Sequence, residues 1–526
     1  MTAPSVAAIV PTQARERPGR TAAVEGERAV TYAELDQLGA RVARALVGSG
    51  IRPGDRVGYL GRNSITHLES MAGASRAGAV TVPFNWRLSE QELAYVIGDS
   101  TARLLVVEEE FAAAAHRIVT GLEAPPIVVV DGAAGRSGYR QWRDASGEVE
   151  TPMPTGPACE GVCFHIYSSG TTGRPKGVLL TSAGIMEKLA VVEHDWGLDD
   201  RTVGLLSGPV FHIAGTSVAL AGLDVGATQV IARDTSPTAV VDLVRRHRIT
   251  FAGTVPAVLN AIIALPPDEL EDVTSLDLVM YGASSIPRDV LRRSMELLGC
   301  DFVQSYGLTE TAGTVTNLSV EDHRPGAPEH RLASVGRVNG NVEVRIVDPE
   351  TSEDVPPGTP GEIWLRTTQN MVGYFGLPDE TARTLTRDGW LRTGDVGRLD
   401  PDGYLYLVDR LKDVVISGGE NVYPAEIEAV LRGHPSVADC AVIGLPSTRW
   451  GESPVAVVVG TGRPPDEADL DEADLDEADL IEYCRERLAH YKAPRRVDRV
   501  DEIPRTAVGK VDKARLRAER CGQVLP

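Results

Sequence analysis

Between Tyr167 and Thr181 the sequence reads YSSGTTGRPKGVLLT, a stretch whose residue types suit a loop that holds phosphate between two strands. Ser168, Ser169, Thr171 and Thr172 supply short hydroxyl donors, and Lys176 supplies a compact positive charge. Gly170, Gly173 and Gly177 permit backbone conformations in which main-chain N–H groups approach an anion. The spacing is not that of the Walker loop, because Pro175 precedes the lysine and Gly177 follows it, leaving no hydroxyl in the metal-binding position. A Gly/Ser/Thr run alone would read as a polar hairpin. The ordered string SSGTTGRPKG is far more specific than that.

Five further motifs follow in the chain: YGLTET at Tyr306 to Thr311, WLRTGD at Trp390 to Asp395, DRLKD at Asp409 to Asp413, SGGENVYP at Ser417 to Pro424, and PRTAVGK at Pro504 to Lys510. With the first loop they make six motifs in an order that resembles the adenylate-forming superfamily, which includes acyl-CoA synthetases, peptide-synthetase adenylation domains and luciferases. The resemblance covers nearly the whole chain. It implies catalytic roles for Lys176, His212, Thr309 and Lys510. It implies a nucleotide site built from the loop residues Ser168 to Gly173, together with Gly282, Ala283, Ser305 and Tyr306 around the adenine and Thr309 at the α-phosphate. Asp395 would accept hydrogen bonds from the ribose hydroxyls, with Arg410 nearby.

A carboxylate beside a triphosphate is tolerated only with a cation between them, so Glu310 is the expected magnesium ligand, with Ser168 from the loop. The plainer reading of Thr309 and Glu310 is a surface pair opening a helix; their place within YGLTET after a β-run argues against it. Lys412 would lie at the pivot of an interdomain hinge, and Gly418 and Gly419 would line a tunnel for a thiol. Lys510 resembles the family lysine that bridges the acyl oxygen and the nucleotide. His212, within FHIAG, would in isolation be read as a satisfied core histidine; the resemblance places it beside the substrate carboxylate.

The acid pocket is expected to be lined by His212, Gly215, Val255, Ser305, Ala312 and Gly313. That set contains no cation to match a second carboxylate and no acid to match an α-amino group. Dicarboxylates and free amino acids are therefore expected to be poor substrates, and an apolar or aromatic acid a good one.

The elements that position these groups are legible as an α/β fold. Thr31 with Glu34 three residues on, followed by Leu38, Val42, Ala45 and Leu46 at helical spacing, predicts a capped, core-facing helix. ARLLVVEE and PIVVVDG, and after the loop TVGLLSGP, ATQVIAR, ITFAGT and LDLVMYGA, are short aliphatic runs alternating with helical patterns, as in buried parallel sheets. Gly358 to Tyr406 changes to short strands with turns, predicting a small antiparallel subdomain. The expected organisation is a large domain over 1–411 and a small mobile α+β domain over 412–526, joined at Asp409 to Asp413. The small domain should open with a helix from Pro424, continue with short β-runs, and end in a basic helix after Lys510.

Asp466 to Leu480 is DEADL three times over, and five residues advance a helix by about 140°, so its leucines spiral rather than form a stripe. Nine acids in these fifteen residues predict a solvated insertion without catalytic role, whose removal would change the net charge from -21 to -12.

The 526 residues, 42% hydrophobic and 24% charged, suit a globular chain of more than one domain. The net charge of -21 opposes broad attraction to nucleic acid or anionic membrane. No apolar run approaches the ~20 residues of a membrane span, and no basic region precedes the short apolar N-terminal stretch, so a cytoplasmic protein is expected. Cys159, Cys163, Cys300, Cys440, Cys484 and Cys521 form no CxxC pair and suggest neither disulfides nor zinc.

ATP, Mg2+ and CoA are the implied ligands and a small-molecule acid the implied substrate; a homodimer is compatible with this reading. The leading expectation is ATP-dependent formation of an acyl-adenylate and then an acyl-CoA. Delivery to a carrier protein in trans or to an amine is the alternative. A nucleotide-binding regulatory protein without turnover is disfavoured by Lys176 and Lys510 both being in place.

Overall fold

The computed structural model describes residues 3–132, 138–145, 161–168, 174–270, 272–284, 286–417, 420–461, 476–506, 510–520 and 522–525. The chain forms two compact units: Met1–Val344 with Leu365–Leu391, and Arg345–Trp364 with Arg392–Pro526.

The first unit holds two large sheets. In one, the strands Val203–Leu206, Phe251–Thr254, Leu278–Gly282 and Asp301–Leu308 pair in parallel, and Gly313–Leu318 folds back antiparallel on the last. In the other, Arg56–Leu60, Val80–Phe84, Leu104–Glu108 and Ile127–Asp131 are parallel. Val162–Ser168 continues this sheet, and Lys176–Thr181 and Gly373–Tyr374 add antiparallel strands at its edge. The aliphatic runs read from the sequence are these strands.

The expected capped helix is Tyr32–Gly48. The Thr31 side chain accepts from the Glu34 N–H, and the Glu34 carboxylate accepts from the Thr31 N–H in return. Val42, Ala45 and Leu46 are buried from it. Two helices, Ser182–Asp195 and Ile213–Val225, join one apolar cluster with strands of both sheets, including Ile166, Val178, Ile231 and Met280. Ile213–Val225 is apolar nearly all round, which is what burial on every side demands.

The second unit contains most of a four-stranded sheet, Glu343–Val347, Gly361–Arg366, Leu391–Leu399 and Leu405–Arg410, with the last pair antiparallel. It also contains the helix Pro424–Leu431, a sheet dominated by Val437–Ser447 and Gly451–Gly460, and the terminal helix Lys513–Glu519. These two strands run to 11 and 10 residues, longer than the short β-runs expected.

The DEADL repeat requires a larger correction. Its third copy, Asp476 to Leu480, is not a solvated insertion: Asp476 caps the helix Glu477–Arg487 by accepting from the Ala478 N–H at 2.9 Å. Leu480 is 1% exposed, in the same cluster as Ile427, Leu431 and Cys484. Glu477 accepts from the Val497 N–H and Asp479 lies 3.2 Å from His434. The spiral of leucines does not matter because only one of them needs to face the core. The first two copies lie outside the described residues.

Candidate active site

In the first unit the hairpin register opposes Ser168 to Lys176, so strands clamp both ends of the Ser/Thr/Gly loop. Ser169, Gly170, Thr171, Thr172 and Gly173 lie outside the described residues. The Ser168 hydroxyl donates to the Lys176 carbonyl at 3.4 Å. Gly177 is also required for packing: a Cβ there would lie 1.9 Å from His165 Nε2. The missing side chain makes room for that fully buried imidazole, which is stacked on Tyr167 and tilted against Phe375. Burial lowers the His165 pKa to about 3, so the ring is neutral.

Lys176 Nζ donates to Glu380 Oε2 at 2.5 Å and lies 5.1 Å from the centroid of the Tyr374 ring. The hydrogen bond from Lys176 holds the Glu380 carboxyl below its ordinary range. The Tyr374 hydroxyl in turn donates to Glu310 Oε1 at 3.0 Å. Lys176, Tyr374, Glu310 and Glu380 thus form one chain of contacts. Pairing of Tyr374 with Val178 on the neighbouring strand brings it there. Glu380 comes from the helix Pro378–Thr384 just beyond. Sequence reasoning named Lys176 and Glu310 and missed the other two; the GYF after a turn was the available signal for Tyr374.

YGLTET is a tight reversal between two strands. Thr309–Thr311 form a single 3-10 turn, followed by Ala312 at φ +54° and Gly313 at φ +112°. The Thr311 hydroxyl donates within the turn, with the Leu308 and Gly313 carbonyls 3.1 and 2.8 Å away. A Cβ on Gly307 would lie 1.7 Å from the Gly313 carbonyl oxygen, so only glycine closes this turn. The Glu310 carbonyl accepts from the Met371 N–H at 2.8 Å, tying the turn to the segment that carries Tyr374.

Gly282 ends a parallel strand, where a Cβ would meet the Ser305 carbonyl oxygen at 2.4 Å. Ala283 follows at φ +67°, in a region where non-glycine residues are strained and which is common at functional sites. Both stand at the carboxyl end of a parallel strand, the edge at which open α/β sheets take ligands. Tyr306 is half-buried on the neighbouring strand, and the Ser305 hydroxyl donates to Asn317 Oδ1 at 2.7 Å.

Of the expected acid lining, His212 is half-buried at the start of the helix Ile213–Val225, and Gly215 lies one turn on. A Cβ on Gly215 would lie 2.3 Å from the Pro209 carbonyl oxygen, so this glycine seats the helix on the preceding loop. Val255 is 38% exposed and Ala312 is buried. The Cβ position of Gly313 lies 3.7 Å from Ile213 Cγ1, which brings the two ends of this lining together. The expected lining names no cation, but one outside it stands close by. Lys188 Cδ lies 3.9 Å from the same Gly313 position, and its signal, a lone lysine in an apolar helix pattern, went unused.

Glu310 is a fit for magnesium of a particular kind. No group of three or more acidic, histidine or cysteine side chains is gathered to hold a metal among the described residues. One carboxylate backed by Tyr374 suits an ion held chiefly by substrate phosphates and water.

A groove of about 490 Å³ on this unit is lined by Arg62, Trp86, Arg87, Ser207 and Arg233 among others. Arg62 and Arg87 stack on the Trp86 ring at 4.7 and 5.0 Å. Arg62 pairs with Glu110, and Arg233 pairs with Glu25 and Glu108. Burial, and secondarily Arg62, lowers the Arg87 pKa.

In the second unit Asp395 is buried and receives Arg410 Nε at 2.7 Å, from the residue directly opposite it on the antiparallel pair. Beyond Arg410 the chain makes a 3-10 turn at Leu411–Asp413. Burial lowers the pKa of Lys412, while Asp413 pairs with Arg517 at 2.8 Å. Asp409 accepts from the Ala425 N–H at 2.8 Å. Gly418 and Gly419 lie outside the described residues. Lys510 is exposed, with the Thr506 N–H donating to its carbonyl at 2.7 Å and Arg505 bridging the next residue, Val511.

Residues 10–375 match the AMP-binding enzyme family and residues 426–510 match the AMP-binding enzyme C-terminal domain. The chain belongs to the AMP-binding enzyme family. Its relatives include a fatty acid–[acyl-carrier-protein] ligase, ScoC, of Streptomyces coeruleorubidus, 38% identical with 96% of this chain and 94% of the relative covered. A feruloyl-CoA synthase of an Amycolatopsis species is 39% identical over 96% and 97%. Among solved structures, ATP-bound MatB from Rhodopseudomonas palustris superposes with a TM-score of 0.87 at 28% identity, covering 99% of both chains. This AMP-binding enzyme is therefore an adenylate-forming protein of the acyl-CoA synthetase type, and it uses ATP. No helix among its described residues is long and apolar enough to cross a membrane.

Proposed function

We propose that this AMP-binding enzyme joins a carboxylic acid to ATP as an acyl-adenylate, releasing pyrophosphate, and then transfers the acyl group to the thiol of CoA, releasing AMP. The observation that carries the reading is the connected set Lys176, Tyr374, Glu310 and Glu380 beside the strands that clamp the Ser/Thr/Gly loop. Carboxylate attack on phosphorus is slow because both centres are surrounded by negative oxygen, so catalysis requires cations aimed at the triphosphate. Lys176 exchanges Glu380 for phosphate oxygen. The pair is partly exposed and contributes at most about 1 kcal/mol, so the exchange costs little. Magnesium bound at Glu310 and Ser168 would neutralise phosphate charge.

The acid oxygen forms a bond to the α-phosphorus as the bond to pyrophosphate breaks. Thr309 faces the α-phosphate, His212 lies beside the acid carboxylate, and Lys510 bridges the acyl oxygen and the nucleotide. Gly282, Ala283, Ser305 and Tyr306 flank the adenine, while Asp395, oriented by Arg410, accepts from the ribose. In the second step the CoA sulfur bonds to the acyl carbon, AMP leaves, and the thiol proton passes to solvent. A boundary at Leu411 and Lys412, with a pivot at Asp409–Asp413, lets Lys510 withdraw and Gly418 and Gly419 guide the thiol. The arginine-lined groove offers the exposed Arg87 guanidinium, stacked on Trp86, to the phosphates of CoA. A cytoplasmic location and a homodimeric state belong to the same reading.

The ScoC relative favours a second acceptor, a carrier-protein thiol in trans, with the same first step. Incubation with ATP, CoA and a panel of acids, followed by mass spectrometry of the products, tests the proposal. Acyl-CoA and AMP are expected. An adenylate that persists with CoA but is discharged by a carrier protein or an amine would select the alternative acceptor.

A further inference from the structure

Lys188 lies on the helix Ser182–Asp195, is 0% exposed, and its Nζ has no hydrogen-bond partner among the described residues. Burying an ammonium without a partner costs several kcal/mol, so native proteins keep such a group where something else satisfies it. The carboxyl on the same helix, Glu193, is a weak candidate for that role. Burial and neighbouring Asp224 push Glu193 up to about 8, so it carries its proton at neutral pH. Glu193 is near enough for its charge to raise the Lys188 pKa in part, yet it makes no hydrogen bond to the ammonium.

What lies beside the lysine stem is the proposed acid pocket. Its Cδ is 3.9 Å from the Cβ position of Gly313, a position also 3.7 Å from Ile213 Cγ1 and 3.4 Å from Ser217 Oγ. The Ser217 hydroxyl donates to the Ile213 carbonyl at 2.6 Å, so its proton is already committed within the helix. Gly313, with no side chain of its own, thus stands between the lysine stem and the start of the helix Ile213–Val225. Burial lowers the Lys188 pKa to about 7, with Glu193 raising it only in part, so an oxyanion placed beside the amine would favour its charged form.

Resting on the proposed acid activation, we propose that Lys188 recognises the tail of the substrate: its ammonium takes an oxygen acceptor at the end of the acid remote from the reacting carboxylate, an oxyanion most strongly. Lys188 is a specificity residue of the acid pocket. An acid with a purely hydrocarbon tail leaves the ammonium unpaired, whereas one with a carboxylate or phenolic oxygen there completes it.

The test compares matched acids in pyrophosphate release: adipate against hexanoate, and 4-hydroxycinnamate against 4-methylcinnamate, with wild type and Lys188→Met. The wild type should favour the oxygen-bearing member of at least one pair by about tenfold or more in kcat/KM, chiefly through KM. In Lys188→Met the preference should fall to near unity or invert, with the hydrocarbon member improving. Lys188→Arg should keep the sign of the preference. Absence of any preference in the wild type overturns the assignment even if the Met variant fails to fold, and so does an unchanged ratio in Lys188→Met. Turnover of the hydrocarbon acids without preference leaves the acid-activating reading standing and removes only Lys188; no pyrophosphate release from any acid removes both.

Discussion

Lys176 and Lys510 are assigned to the same proposed half-reaction, yet their surroundings differ in kind. Lys176 opens a strand, half-buried, with Glu380 at 2.5 Å and the Tyr374 ring beneath it. Lys510 is exposed beside the isolated Arg505–Val511 bridge in the second unit, with its carbonyl accepting from the Thr506 N–H, and it lies in no extended strand. A sheet-borne lysine with a stored counter-ion stays in register through a whole catalytic cycle. A lysine held beside a single bridge suits a group required in only one of two steps.

The sharpest way to break this comparison is Lys510→Ala, which should lower adenylate formation by roughly a hundredfold or more while largely sparing thioester formation from pre-made acyl-adenylate. Equal loss in both assays would show that Lys510 is as permanent a member of the site as Lys176. Lys176→Ala should cost adenylate formation roughly ten- to a hundredfold, mostly in KM for ATP, whereas Glu380→Gln should change it only a few-fold. A collapse in Glu380→Gln would make the carboxylate a catalytic partner and not a resting place, a distinction that ATP titrations of initial pyrophosphate release resolve.

Two further experiments concern the second unit. Leu480→Ala should lower stability by about 2–5 kcal/mol in denaturant unfolding, since it empties a buried site. Removing 466–475 should leave the midpoint near wild type; a large loss there would extend the packed part of the repeat. Lys412→Pro, which fixes φ at the proposed pivot, should slow thioester formation more than adenylation, and unchanged kinetics would move the pivot elsewhere.

The smallest effect belongs to the Lys176 side. His165 and His67 are buried and neutral, with pKa lowered to about 3 by burial. Their unfolded value is near 6.5, so as pH falls the unfolded chain binds these protons first. Their contribution is present above pH ~6.5 and is lost as pH falls toward 3, at up to about 1.4 kcal/mol per pH unit each. His165→Gln should flatten the acid limb of a stability–pH profile by about one such slope; an unchanged slope would mean that His165 is already protonated in the fold.

Much of the fold was readable because its signals are local. The Thr31–Glu34 cap, the aliphatic runs and the motif order depend on neighbours in sequence, and each appears as expected. The third DEADL copy was misread because composition weighs fifteen residues together while packing needs only Leu480 and a cap at Asp476. At Gly177 no sequence signal marked the packing requirement, which lies across the hairpin in His165.

By itself, the sequence determined the chemistry available: hydroxyls, glycines and a lysine in one loop, an acid in a tight turn, a lysine near the end. Short-range spacing decides such things, since a turn or a loop is built from consecutive residues. Only the tertiary structure decided the partners. Glu380 stands 204 residues from Lys176 and reaches it because the strand Gly373–Tyr374 pairs beside Lys176–Thr181. Lys188 meets Gly313 because two helices and a returning strand share one core. Contacts of that range carry no periodicity in the sequence, because burial and strand pairing, not spacing, bring them together.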